Sequence, residues 1–255
     1  SNLNTSLDGD IWTTIDQTYW SDQINWGGTR KKGSISKTKK TFQKKLNNKK
    51  EDIVWVQQLN GFAYGILNKY TDGEIILNAE KRKSKWTKLH PKNKKKKNLP
   101  QEIPVLQLSI NHGKNIQKGK YAYFVYLENE FTTKKMSDPD LQILSNTTSL
   151  QAATTKDEKV ITAVFFDTKS ELNTKRGKIK VSAPAIVLVE EHETHWSIAI
   201  TDPTMDPKLT SIDIYSTINL NKKKESTSKE WEKLTINLPT GAQLGKPTLL
   251  KINKN

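Results

Sequence analysis

Short runs that alternate apolar and polar residues recur along this chain, and turn-forming residues separate them. The run VLQLSI at residues 105–110 is the clearest. Successive side chains of a strand point to opposite faces, so this alternation fits a sheet with one buried face. Shorter runs of strand character lie at residues 13–16, 53–57, 62–67 and 74–77. Residues 121–127 (YAYFVYL) are richer in aromatics and Val, which predicts a more fully buried strand. Turn pairs fall where strands should end: Asn60-Gly61, Asp72-Gly73 and His112-Gly113. Asp72-Gly73, between ILNKYT and EIIL, reads as a hairpin turn. No long helical period appears, and residues 130–136 are expected to form a single turn. Ser137-Asp138-Pro139-Asp140 is the best boundary, because Pro139 blocks helix continuation and biases its neighbour to extended backbone. Beyond it, runs at 141–145, 149–153, 160–166, 178–182, 185–190, 196–201, 211–215 and 234–237 are spaced like the strands of a β-sandwich. The chain is therefore expected to be all-β, with one domain over residues 1–138 and a smaller sandwich over 139–255.

Charge divides the chain further. The net charge is +15, but residues 28–50 hold ten Lys/Arg and no acid, and residues 79–98 hold ten with one acid, Glu80. Outside these two segments 22 basic residues face 26 acidic ones. All the excess positive charge thus sits in two places, read either as solvated loops or as surfaces that attract polyanions in a salt-dependent way. There are no cysteines, so neither disulfides nor thiolate metal sites arise. No apolar run approaches the ~20 residues of a membrane-spanning helix, and no membrane role is expected. The polar start SNLNTSLDGD does not read as a signal peptide.

Individual candidates sort by chemistry. Trp26-Gly27-Gly28-Thr29-Arg30 places an indole beside two glycines and then cations. Sugar faces are apolar and pack on indole, while Arg and Lys meet carboxylates. Trp26, Arg30, Lys31 and Lys32 are one candidate substrate-binding set, and Lys83, Lys85, Trp86 and Lys88 the other, each set against the plainer reading of a packed Trp in a basic segment. Trp12, Trp55, Trp196 and Trp231 lie in or beside strand-like runs and read as core residues. His192 and His195 share HETH, which lacks the helical i, i+4 spacing of the HExxH zinc motif. Along a strand they would face opposite ways, so no metal site is expected. His112 reads as a structural hydrogen-bonding residue. Asp16, Asp22, Glu190, Glu191 and Glu193 make no recognisable catalytic pair. No cofactor motif is present, and no cofactor is expected.

Several segments carry a family resemblance. LQLSINHGKNIQKGKYAY at residues 106–123, taken with IWTTIDQTYW at 11–20, resembles the back half of the family 8 polysaccharide lyases, which cut hyaluronan, chondroitin or xanthan by β-elimination. WVQQLNGFAYGIL and the KSKWTKL stretch around Trp86 fit the order of that family's central domain. ILSNTTSLQAATTKDEKVITAVFF, APAIVLVEE and HWSIAITDPTM look like its small C-terminal sandwich, ending in an Asp202-Pro203-Thr204 turn. The resemblance covers about 200 residues in the family's order. It implies that residues 1–138 are the later part of a large antiparallel β-sandwich and residues 139–255 the small C-terminal one.

The departures bear on activity. Elimination from a uronic acid requires a neutralised carboxylate, a base for the C5 proton and an acid for the leaving oxygen. The family's catalytic Asn, His, Tyr and Arg belong to helices and loops with no match here, so no catalytic residue is assigned. The expected role is a non-catalytic β-sandwich region of a secreted, extracellular lyase, hyaluronan type preferred. Its partners would be an anionic polysaccharide (hyaluronan or chondroitin), the family's helical domain and earlier central strands. A stand-alone carbohydrate-binding module is the alternative. A nucleic-acid role ranks third: Lys far outnumbers Arg, and no DNA- or RNA-binding motif is present.

Overall fold

The computed structural model describes every residue except 1, 4–7, 22, 29, 37–40, 47–50, 60, 85–100, 128–132, 219, 221–229 and 255. The chain forms two compact units, Asn2–Pro139 and Asp140–Asn255, and both are built almost wholly from antiparallel strands.

In the first unit, a four-stranded sheet runs β2 (Ile11–Tyr19), β9 (Gln101–Gly113), β8 (Glu74–Ser84), β5 (Thr41–Lys45). A five-stranded sheet runs β11 (Tyr123–Tyr126), β7 (Ala63–Leu67), β6 (Ile53–Gln58), β3 (Ile24–Gly27), β4 (Lys32–Ile35). β1 (Asn2–Leu3) pairs with β10 (Gly119–Lys120). Alternation decides what lies between the sheets. Ile75, Leu77 and Ala79 of β8 and Leu106, Leu108 and Ile110 of β9 meet Ile24, Val54, Val56 and Ile66 in one buried cluster. Because β6 has core on both sides, its pattern is not alternating. Val54 and Val56 face the sandwich, while Trp55 packs with Ala63 and with Met136 of the short helix α1 (Thr133–Ser137).

In the second unit, a six-stranded sheet runs β12 (Gln142–Asn146), β13 (Leu150–Thr154), β14 (Val160–Phe165), β17 (Ala185–Glu191), β18 (His195–Thr201), β21 (Thr248–Asn253). A four-stranded sheet runs β15 (Leu172–Asn173), β16 (Lys178–Val181), β19 (Ser211–Ser216), β20 (Glu232–Asn237). Every second residue of β14, β17 and β18 is buried: Ile161, Ala163, Phe165, then Ala185, Val187, Val189, then Trp196, Ile198, Ile200. They pack on Leu172, Ile179, Val181, Ile212, Ile214 and Ile236.

Four expectations need correction. Asp72-Gly73 is not a hairpin turn: β7 and β8 belong to different sheets. Asn68–Tyr70 forms a 3-10 turn, after which Asp72 bonds to the Lys120 backbone in both directions (2.8 and 3.2 Å). Gly73, at φ +112°, passes so close to Asn111 that a Cβ would lie 2.5 Å from its carbonyl oxygen. The segment at 121–127 is not deeply buried, because β11 is an edge strand with Tyr123 and Val125 exposed. Trp12 and Trp231 are exposed rather than core. The basic segments are not simply loops either. Lys32–Ile35 and Thr41–Lys45 form the edge strands β4 and β5, and β8 continues to Ser84 through KRKS. Lysines on edge strands discourage edge-to-edge pairing with other chains, so part of the charge has a structural use.

Candidate functional site

The hairpin β3–β4 builds one side of a cleft in the first unit. Trp26 and Gly33 are opposite each other across the two strands. A Cβ on Gly33 would lie 2.1 Å from the Trp26 ring, so the indole lies flat against the glycine. Lys44, an inward-tilted residue of β5, places its ammonium 4.0 Å from the centre of the same indole. Such a cation–π contact contributes about 0.5–1 kcal/mol at a partly exposed site. The Trp26 indole nitrogen is buried and meets no acceptor among the described residues, which costs on the order of 1–3 kcal/mol.

Beside Trp26 opens a cavity of about 270 Å³ lined by Trp26, Gly28, Lys31, Lys44, Lys45 and Glu51, among others. Glu51 is 4% exposed and accepts the Arg30 backbone N–H at 3.0 and 3.3 Å. A Cβ on Gly28 would meet its carboxyl at 2.7 Å, and Gly28 N–H donates to the Lys31 carbonyl at 2.8 Å to close the hairpin loop. The buried carboxylate thus fixes the loop that carries the cations. Lys45 pairs with Glu74 at 2.7 Å in the open. Lys31 is exposed and makes no ion pair among the described residues. The cleft therefore offers an indole, one unengaged ammonium and two more that a ligand can recruit.

Of the first predicted set, Trp26 and Lys31 line the cleft. Arg30 does not line it, its backbone N–H instead bonding to Glu51, which does, and Lys32, opposite Gly27, is exposed. Lys83 is an exposed residue of β8 across from Glu102. Lys85, Trp86 and Lys88 lie outside the described residues. Sequence reasoning missed Lys44, Lys45 and Glu51 as individual members. Glu51 had a visible signal, being the first acid after ten consecutive basic charges.

Other titratable groups of this unit are engaged in joining its parts. His112 Nδ1 lies 2.7 Å from the Asp72 carbonyl and Nε2 2.9 Å from Thr13 Oγ1. A carbonyl only accepts, so Nδ1 carries the proton and Nε2 accepts from the hydroxyl. Burial lowers its pKa, and the neutral ring has no free nitrogen for chemistry. Asp16 follows a bulge in β2 at which Ile15 is the extra residue, and such bulges re-aim side chains. It accepts the Tyr64 phenol across to β7. Burial raises Asp16 despite that bond. Burial and the adjacent carboxylate raise Tyr64 well above an ordinary phenol, so Tyr64 stays protonated and does not serve as a base near neutral pH.

In the second unit, His192 and His195 do not face opposite ways. They flank the tight β17–β18 turn, where His192 N–H donates to the His195 carbonyl at 2.9 Å, and their rings stack at 4.3 Å. The turn, rather than a strand, sets their spacing. Among the described residues no group of three or more His, Asp or Glu converges as metal ligands do. Asp202 is buried and ends β18, accepting Thr204 N–H at 2.7 Å, Thr204 Oγ1 at 2.6 Å and Asp206 N–H at 2.9 Å. Burial works to raise its pKa, but these bonds outweigh it and hold the carboxyl below the usual range.

The two units match two known domains. Residues 1–137 match the model of the polysaccharide lyase family 8 super-sandwich domain, and residues 142–210 that of the family's C-terminal beta-sandwich domain. The chain belongs to polysaccharide lyase family 8. Its fold is also that of solved structures. A chondroitinase AC lyase, described with its oligosaccharide complexes, aligns with TM-score 0.73 and 19% identity over 97% of this chain and 33% of its own. A Paenibacillus xanthan lyase aligns at 0.68 and 18% over 98% and 24%. A Streptomyces coelicolor A3 chondroitin AC lyase in complex with chondroitin sulphate aligns at 0.63 and 12% over 99% and 30%. The chain spans a quarter to a third of the length of these structures. No curated protein sequence matches it.

Proposed function

We propose that this chain is the non-catalytic β-sandwich region of a secreted bacterial lyase that cleaves an anionic glycosaminoglycan by β-elimination. It supports the helical catalytic domain and attracts or walls the substrate. The observation that carries the reading is the Trp26 cleft, in which an indole and the ammonium groups of Lys31, Lys44 and Lys45 surround a cavity of about 270 Å³. That is the chemistry a uronate-bearing chain asks for: an apolar platform for the ring face and cations for the carboxylates. Membership of the lyase family supplies the reaction class. Hyaluronan as the preferred polymer and the extracellular setting rest on the sequence resemblance.

The test is a titration of the full chain with hyaluronan and chondroitin oligosaccharides, with neutral dextran as control. The reading expects the anionic chains to bind and dextran not to. Lys31→Ala and Lys44→Ala should each weaken binding by roughly fivefold, as for loss of about 1 kcal/mol. Salt sensitivity alone does not discriminate, since every polyanion releases counterions. Single-stranded DNA displacing hyaluronan at equal concentration would replace this reading with a general polyanion binder.

A further inference from the structure

The second unit carries a cleft that the reading above does not use. It has a volume of about 350 Å³ and is lined by Asn173, Thr174, Lys175, Arg176, Lys178 and Trp231, among others. Trp231 is 40% exposed, which is unusual for the side chain with the most apolar surface to hide. Lys180 places its ammonium 4.6 Å from the indole centre.

The turn at the cleft floor is held by a set of hydrogen bonds. Thr174–Gly177 is the turn between β15 and β16. The Thr174 hydroxyl donates to the Gly177 carbonyl at 2.9 Å and accepts the N–H groups of Arg176 and Gly177 at 3.1 Å each. Glu158, 2% exposed and held at φ +55°, accepts the Lys175 N–H at 2.8 Å. Gly177 adopts φ +150°, and a Cβ there would lie 2.8 Å from Thr217 Oγ1. Thr217 in turn accepts the Lys178 N–H at 2.9 Å. A buried carboxylate, a left-handed glycine and a hydroxyl thus fix a surface turn at a cleft lined by three cations and a Trp.

The cations differ in how far they are committed. Arg176 pairs with Glu191 and donates to the Asp157 carbonyl, so it belongs to the scaffold. Glu171 bridges Lys178 and Lys180 at 2.7 and 2.9 Å. Lys175 is exposed, and its ammonium makes no ion pair among the described residues. We infer that this cleft is a second binding subsite for an anionic polysaccharide. Trp231 receives the face of a sugar ring, and Lys175, with Lys178 released from its shared carboxylate, receives a uronate or sulfate. The inference rests on the proposed anionic substrate class.

The test compares wild type with Trp231→Ala, Trp231→Phe, Lys175→Ala and Trp26→Ala in the full chain. Each is titrated with a short chondroitin oligosaccharide and with polymeric chondroitin, using nuclear magnetic resonance to follow the Lys175 and Trp231 backbone amides. The expected result is that the short oligosaccharide shifts both amides in wild type and in Trp26→Ala. Trp231→Ala should lose roughly tenfold in affinity at these amides, and Trp231→Phe should retain most of it. Unfolding midpoints of the variants confirm that folding is intact. Amides that never move, while Trp26 or Lys31 reports binding, overturn the second subsite and leave the first reading standing. Silence at both clefts overturns both. Equal response to single-stranded DNA overturns the assignment to polysaccharide.

Discussion

Gly33→Ala tests the packing on which the first cleft depends. The added carbon would lie 2.1 Å from Trp26 Cζ2 and 2.6 Å from two further ring atoms. Non-bonded carbons settle at about 3.5–4.0 Å, so the indole must move by well over an ångström. It cannot shift outward without giving up its contact with Lys44, which is 4.0 Å away. It cannot shift inward freely because it already packs against the buried cluster that includes Ile24, Val54 and Val56. Overpacking of this kind costs about 1–3 kcal/mol, or roughly 3–10 °C in the Tm of a unit this size. The assay is thermal unfolding of the full chain followed by tryptophan fluorescence, with hyaluronan titration in parallel. Gly33→Ala should lower both Tm and affinity. Lys44→Ala should lower affinity with a smaller Tm change, about 1–4 °C, since it removes a half-buried side chain whose contact with the indole contributes only about 0.5–1 kcal/mol. Unchanged Tm in Gly33→Ala would refute the argument that the indole rests on the glycine.

Further outcomes concern the groups that join elements. Asp202→Ala should destabilise the second unit by about 2 kcal/mol, because three hydrogen bonds to a carboxylate are lost while their exposed donors turn to water; urea unfolding read at Trp196 checks this. The same carboxyl should make stability pH-dependent. Its folded pKa is lowered, so its contribution is present above the ordinary carboxylate pKa and fades as pH falls through the lower folded value, a fade that Asp202→Ala should not show. Tyr64→Phe should push the already raised Asp16 higher still, because the phenol O–H favours the ionised form; a carboxyl carbon titration in which Asp16 does not move contradicts the assigned bond. Asp16 has the opposite sign to Asp202: its contribution to stability declines as pH rises from the ordinary carboxylate value through the raised one.

The sheets were legible where one face is wet. Ile75, Leu77 and Ala79, Leu106, Leu108 and Ile110, and the β14, β17 and β18 series alternate in the sequence as they do in space. Alternation is silent about which strand pairs with which. Asp72-Gly73 has hairpin chemistry, yet the 3-10 turn at Asn68–Tyr70 redirects the chain to the other sheet. KGSI and TFQKK escaped because Lys-rich edge strands bury only alternate side chains on one side, so their composition looks like loop. The Trp26 cleft was half legible: Trp-Gly-Gly followed by cations is local, but Lys44 and Glu51 arrive from β5 and from the entry to β6. The His192–His195 stack was hidden because a turn, not a strand, spaces the rings.

The central claim is that this chain positions and attracts an anionic polysaccharide without breaking it. The direct measurement is to incubate the purified chain with hyaluronan and with chondroitin and follow the ultraviolet absorbance of the unsaturated uronate that elimination creates. The account predicts no signal from this chain alone, while the same sample shows polysaccharide binding. A sustained rise in absorbance that a control variant such as Tyr64→Phe or His112→Ala removes would contradict it, and would make a catalytic group of a residue described here as joining the sheets.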